Sequence, residues 1–229
     1  MPESALLVAS DLVSVLRVDS ADVRVLDGVS VELHSGTVTD ITGPSGCGKS
    51  TLLRALGLLL PGAAGSLSLD GVPCADMGAQ HWRASVALLP QKPAIFPGTV
   101  AENLRVPWSL KVRHGQLPPD DAALCDALER VGLPAAALDR DAARLSVGQQ
   151  ARVALLRVFL TNPRVLLLDE PDAALDETSS ESVALLLREF TGGGGAIARV
   201  RHHLADGLAT RCLALAGGHL TLPDGVAAR

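Results

Sequence analysis

Gly43-Pro44-Ser45-Gly46-Cys47-Gly48-Lys49-Ser50-Thr51 decides how this chain is read, because its spacing is G-x-x-x-x-G-K-[ST]. In a loop of that kind backbone N–H groups surround phosphates and the lysine reaches the outer ones. Outward from it, Val38-Thr39-Asp40-Ile41 is apolar enough for a strand and Ser50-Thr51-Leu52-Leu53-Arg54-Ala55-Leu56 for a helix. That strand–loop–helix context is what the motif requires. The helix start adds unpaired N–H groups and a positive dipole end to an anion site, and the Ser50 hydroxyl is placed for Mg²⁺. A plain Gly-rich turn between strand and helix gives no reason for Lys49 and Ser50. The sequence therefore predicts a nucleoside triphosphate site.

Composition narrows what surrounds that site. With 229 residues, 48% of them hydrophobic and 20% charged, the chain has enough apolar material for one large domain. A formal net charge of −5 without a Lys/Arg block argues against nucleic acid as a partner. Aromatic residues are 2% and tyrosine is absent, so a base-stacking platform for single strands is excluded too. Cys47, Cys74, Cys125 and Cys212 lack metal-type spacing and read as reduced thiols of a cytosolic protein. No run of about 18 apolar residues spans a bilayer, and Met1-Pro2-Glu3-Ser4 has no basic start of a signal peptide. Any membrane contact is then expected through a partner.

Short β-type runs fill the first third, at residues 6–8, 12–15, 23–26, 29–33 and 67–69. Residues 86–89 read as a buried strand ending at Pro90-Gln91. Helical spacing follows over 120–131 and 146–160. Val165-Leu166-Leu167-Leu168 is a continuous apolar run, as in a parallel strand covered on both faces. Residues 178–190 predict a helix, 192–195 a flexible loop and 196–200 another strand. The pattern is a phosphate-loop α/β core interrupted by a helical lobe at roughly 95–160.

Two further stretches separate a motor from a kinase or a GTPase. Asp169 and Glu170 end the apolar strand, where open α/β sheets bind ligands. Asp169 is placed to hold Mg²⁺ and Glu170 to orient and deprotonate an attacking water. Leu145-Ser146-Val147-Gly148-Gln149 opens a helix with Ser146 at the N-cap, a second anion-binding helix start. Two such starts in one domain make sense when each site is shared between two subunits.

With these motifs in hand the chain resembles, over nearly its whole length, the nucleotide-binding subunit of an ABC transporter. The resemblance implies one ABC ATPase domain over 1–229: a P-loop NTPase core at 1–94 and 161–229 with an N-terminal antiparallel β subdomain, and an inserted helical subdomain at 95–160. It implies that Gln91 contacts Mg²⁺ and water, and that residues 145–149 reach the γ-phosphate bound on the opposite subunit. Asp176, in Ala174-Leu175-Asp176, would cross the dimer interface. His202 would contact the γ-phosphate, with His203 the alternative one residue on. ATP and Mg²⁺ are the implied cofactors. The implied partners are a second copy, as a homodimer or pseudo-dimer on ATP binding, and an integral membrane permease docking near residues 93–108. The implied place is cytoplasmic, peripheral on the inner face of the membrane.

Departures from the family pattern are equally readable. Val147 stands where glycine is usual and would crowd backbone approach. Asp172 and Arg201 replace hydroxyl residues, after Glu170-Pro171 and before His202. Arg199 and Arg201 sit oddly in a buried strand unless solvated at its end. No aromatic stands near residues 15–18 to stack on adenine; Arg17 either stacks its guanidinium there or is a solvated arginine, and looser base selectivity is expected. Residues 41–53, 96–104 and 106–108 are most similar to the FetA/YbbL type, associated with iron export. Phe96 and Trp108 are either permease contacts or core of the lobe. A soluble ABC ATPase of the iron–sulfur cluster assembly type is the alternative.

Overall fold

The structure, a computed structural model, describes residues 5–18, 21–201 and 206–222. Its strands are β1 (Ala5–Val18), β2 (Ala21–His34), β3 (Val38–Thr42), β4 (Ala64–Leu69), β5 (Val72–Pro73), β6 (Val86–Leu89), β7 (Val165–Asp169), β8 (Ala196–Val200), β9 (Arg211–Ala216) and β10 (His219–Thr221). Its α-helices are α1 (Lys49–Leu56), α2 (Cys74–Met77), α3 (Ala79–Ser85), α4 (Val100–Arg105), α5 (Asp121–Arg130), α6 (Val147–Phe159) and α7 (Glu177–Gly192). The strands form an antiparallel sheet in the order β2-β1-β4-β5 and a second sheet in the order β10-β9-β3-β8-β7-β6. In the second, β6, β7, β8, β3 and β9 run parallel and β10 closes the edge antiparallel.

The first sheet corrects the reading of four short N-terminal runs, which merge into one long hairpin. Asp11 takes a left-handed conformation (φ 54°) and the β1–β2 register shifts between Ala9 and Leu12. On β2, Gly28 does the same (φ 67°). A bulge inserts a residue without ending the strand, so the polar breaks that look like strand ends are kinks. The β9–β10 hairpin, turning at Gly217 (φ 56°) and Gly218 (φ 83°), was not anticipated.

β7 is buried at all five positions between β6 and β8. Successive side chains of a strand point to opposite faces, and β7 feeds two cores in this way. Leu166 and Leu168 join α4, α5, α6 and α7 in one cluster; Val165 and Leu167 join α1, Trp82 and the antiparallel sheet in the other. Each fully buried leucine contributes roughly 1.5–3 kcal/mol. β7 is therefore firmly anchored, and its end is a rigid place from which to present Asp169 and Glu170. The segment between β6 and β7 carries α4, α5, α6 and four short 3₁₀ turns, with one isolated β-bridge, Thr99 to Asp141. Its apolar face packs on the sheet, so sheet and lobe share one core.

Candidate functional site

The phosphate loop connects β3 to α1, and two of its glycines are demanded by close approach. A Cβ on Gly43 (φ 144°) would lie 2.2 Å from the Leu215 carbonyl oxygen, and one on Gly48 (φ 106°) 2.6 Å from Val25 Cγ1. The loop is thus pressed against β9 and β2 by backbone that only glycine allows. Gly48 caps α1 without a side-chain hydrogen bond, and the first turn carries no acidic residue. The N–H groups at that start are left for an anion. Lys49 is buried, and its Nζ donates to the Gly43 and Pro44 carbonyls at 2.8 and 2.9 Å. The ammonium is held over the loop by two neutral acceptors rather than by a carboxylate. Pro44, Ser45 and Gly46 are exposed; Cys47, Ser50 and Thr51 are half-buried.

Asp169 and Glu170 leave the end of β7 in different environments. Asp169 is 5% exposed, and its Oδ1 is buried with no hydrogen-bond partner among the described residues. A buried carboxylate oxygen without a donor needs a counterpart, and a divalent cation bound with nucleotide phosphates fits that need. Glu170 sits at φ 52° while its N–H donates to the Val200 carbonyl at 3.0 Å. Left-handed backbone at a non-glycine residue marks strain of the kind that clusters at functional positions. Its Oε2 accepts from Gln91 Nε2 at 2.7 Å, so the residue just past β6 reaches the end of β7.

Leu145 is buried and Ser146 caps α6 through a capping box. The hydroxyl accepts from the Gln149 N–H at 3.3 Å, and the Gln149 side chain accepts from the Ser146 N–H at 3.0 Å. A hydroxyl that accepts there still has its own proton to donate. Val147 is 72% exposed, on the helix's first turn. Gly148 faces the segment after Glu170: a Cβ there would lie 2.7 Å from the Ala174 carbonyl oxygen. Asp176 caps α7, accepting from the Ser179 N–H at 2.8 Å, and hydrogen bonds from Ser179 lower its pKa. Its local role as a cap was not part of the sequence reading.

Arg199 and Arg201 correct the expectation of solvated arginines. Arg199 is 2% exposed and forks between two carboxylates: Nε to Asp40 Oδ1 at 2.5 Å, and Nη1 and Nη2 to Asp206, both at 2.7 Å. Arg201 bonds Asp172 through Nε at 2.8 Å and pairs with Asp206 at 3.0 Å. Burial pushes the Asp40 carboxyl up, and the bonds and charge of Arg199 offset this only in part. Burial acts the same way on Asp206, but bonds from Arg199 and the Leu208 N–H, with the charges of both arginines, outweigh it and hold the group at about 2. No pattern in the sequence pairs these five residues, because the partners lie up to 159 positions apart.

The remaining predicted residues, and the other aromatics, scatter. Arg17 is exposed on β1, opposite Asp22. His202, and His203 beside it, lie outside the described residues. Trp82 is fully buried, its Nε1–H donating to the Leu56 carbonyl, and Phe159 pairs with Phe190. Phe96, 42% exposed beneath the Arg157 guanidinium, lines a groove of about 770 Å³; Trp108 is half-buried beside Arg113. Arg83, Lys111, Arg113 and Arg157 also line that groove, and no described carboxylate does.

Residues 26–173 match the family described as ABC transporter. The chain is 36% identical over 171 residues to the "Probable iron export ATP-binding protein FetA" of Escherichia coli (strain K12), covering 75% of this chain and 74% of that one. It is 41% identical over 194 residues to the "Hemin import ATP-binding protein HmuV" of Streptomyces coelicolor, covering 83% and 68%. In fold it is similar to the "Dimeric structure of a post-hydrolysis state of the ATP-binding cassette MJ0796 bound to ADP and Pi", with TM-score 0.82 and 24% identity over 97% of this chain and 99% of that one. With the glycine-rich loop, the strand-end carboxylates and the helix capped by Ser146 set on that fold, the chain belongs to the ABC transporter family, as an ATP-binding subunit that hydrolyses ATP.

Proposed function

We propose that two copies of this chain close head to tail on two ATP molecules and thereby pull on a separate membrane permease. The observation that carries the site assignment is the Asp169 Oδ1, buried and unpartnered among the described residues, beside Glu170 at the end of β7. Residues 43–51 hold the phosphates, with Lys49 exchanging its two loop carbonyls for phosphate oxygens. Ser50, Asp169 and Gln91 would hold Mg²⁺, which would neutralise phosphate charge. Glu170 takes a proton from the attacking water, and its bond with Gln91 fixes the carboxylate that does so. Ser146, Gly148 and Gln149 reach the phosphates on the other subunit, Asp176 lies at the interface, and His202 contacts the γ-phosphate. Arg17 lies beside the base.

The groove around Phe96 supports transport over a soluble assembly role. Its apolar walls suit a short helix from a permease, and its four uncompensated cations suit one bearing carboxylates. The subunit then works at the inner face of the membrane; among the described residues no helix is long and apolar enough to cross it. One of the two relatives is named for iron export and the other for hemin import. We read the cargo as a metal, with iron export the leading case.

Glu170→Gln tests the core of the reading. ATP binding should persist, turnover should fall by roughly three orders of magnitude, and a dimer should accumulate with ATP on size exclusion. Hydrolysis at the parental rate would overturn Glu170 as base. A tagged pull-down from solubilised membranes tests transport: a stoichiometric multi-span protein is expected, and a soluble partner alone favours the assembly reading.

A further inference from the structure

Asp172 and Arg201, two departures 29 positions apart in the chain, are a bonded pair in space. Their side chains are 14% and 9% exposed, so the pair is largely withdrawn from water. Arg201 continues through Asp206 to Arg199, and Arg199 through Asp40 to β3. Asp40 and Arg199 are direct neighbours in the β3–β8 register. The chain of ion pairs therefore begins just ahead of the phosphate loop and ends just past Glu170.

What it ends on is the turn that starts at Glu170, itself bonded to Val200 and Gln91, and that meets Gly148 at Ala174. The Glu170 carbonyl accepts from the Ala173 N–H at 3.3 Å and the Asp172 carbonyl from the Leu175 N–H at 3.1 Å, both local bonds. Glu170 meanwhile keeps a left-handed backbone that relaxes unless its surroundings over-determine it. Arg201 meets Asp172 Oδ2 with both Nε and Nη2, a charge-assisted contact at low exposure that is stronger and more directional than a neutral bond.

We propose that Asp172 and Arg201, backed by Asp206, Arg199 and Asp40, are positioning residues that hold the turn after Glu170 in fixed relation to the phosphate loop. The inference rests on the reading of Glu170 as base. The two replacements of hydroxyl residues are then one change: each supplies the charge that the other requires. Removing Arg201 strands the Asp172 carboxylate and removing Asp172 leaves Arg201 with Asp206 alone, so either loss frees the turn, whereas removing both leaves neither charge facing the other's gap.

The test is a double-mutant cycle on the whole chain with Asp172→Asn, Arg201→Gln and their combination, reading kcat, KM for ATP, ATP affinity and melting temperature. Each single variant should lose roughly tenfold in kcat, with ATP affinity within about twofold of the parent. The double variant should be no slower than the slower single one. Asp172→Glu, which keeps the charge and lengthens the reach, should show the same kcat-only loss and serves where Asp172→Asn does not fold. Multiplicative losses in the double variant, an unchanged kcat, or a loss confined to ATP affinity would each overturn the proposal. Glu170→Gln run alongside separates the two readings: normal turnover there sinks the base assignment, while its loss with multiplicative losses in the cycle sinks only the positioning role.

Discussion

Asp206 shows how one half-buried residue ties stability to pH. Its carboxyl is held at about 2, against an ordinary value of 3.8, so it binds protons less readily folded than unfolded. That contribution is fully present above pH 4 and is lost as pH falls through the folded value. Discounted for partial exposure, it amounts to about 1–2 kcal/mol. Asp40 acts in the opposite sense, because burial raises its pKa and its charge costs the folded state at neutral pH. Urea unfolding of the parent should therefore lose about 1–2 kcal/mol more between pH 4 and pH 2 than unfolding of Asp206→Asn; parallel curves would refute the assignment. At this scale the sequence was legible where chemistry is local. The motifs around Lys49, Ser50, Asp169 and Glu170 are written in a few adjacent letters, whereas the pairing of Arg199 is not, because Asp40 lies 159 positions away on a neighbouring strand and Asp206 lies beyond the end of β8.

At the scale of elements, α6 joins two demands at one helix start. Ser146 satisfies the Gln149 N–H, so Ser146→Ala should cost about 1 kcal/mol in chemical denaturation through the lost cap alone. Gly148 answers to packing: a Cβ there would press on the Ala174 carbonyl at 2.7 Å, backbone that has no side-chain rotation to give. Gly148→Ala should therefore separate the start of α6 from the turn after Glu170 and lower ATPase roughly ten- to hundredfold, with ATP affinity of the isolated chain unchanged. A turnover matching the parent would show that the segment yields. Helices and buried strands were readable because period and caps are written in consecutive residues: the expected helix over 146–160 is α6 with Ser146 as its cap, and the apolar run at Val165 is β7. β1 and β2 were misread as shorter pieces, since a bulge and a strand end look alike in a single chain and only the partner strand's register tells them apart.

Over the whole molecule, the site and the groove near Phe96 share one rigid frame. β6 lines the groove and runs into Gln91, which bonds Glu170 at the end of the neighbouring β7. Phe96→Asp places a carboxylate in the apolar part of the groove without touching the phosphate loop. ATP affinity should stay at the parental value while recovery with the membrane fraction falls at least roughly tenfold; undiminished recovery would place the permease elsewhere. By itself the sequence determined the strand–loop–helix around Lys49, the strand ending in paired acids, the helix capped by Ser146 and the α/β order, all of them short-range patterns that propensity and spacing record. Tertiary structure alone decided that Asp40, Asp172, Arg199, Arg201 and Asp206 form one buried network, that Gln91 reaches Glu170, and that four cations gather around one apolar groove. Long-range pairing of charges depends on which strands lie side by side, and that is settled by burial of the two cores rather than by any local run of residues.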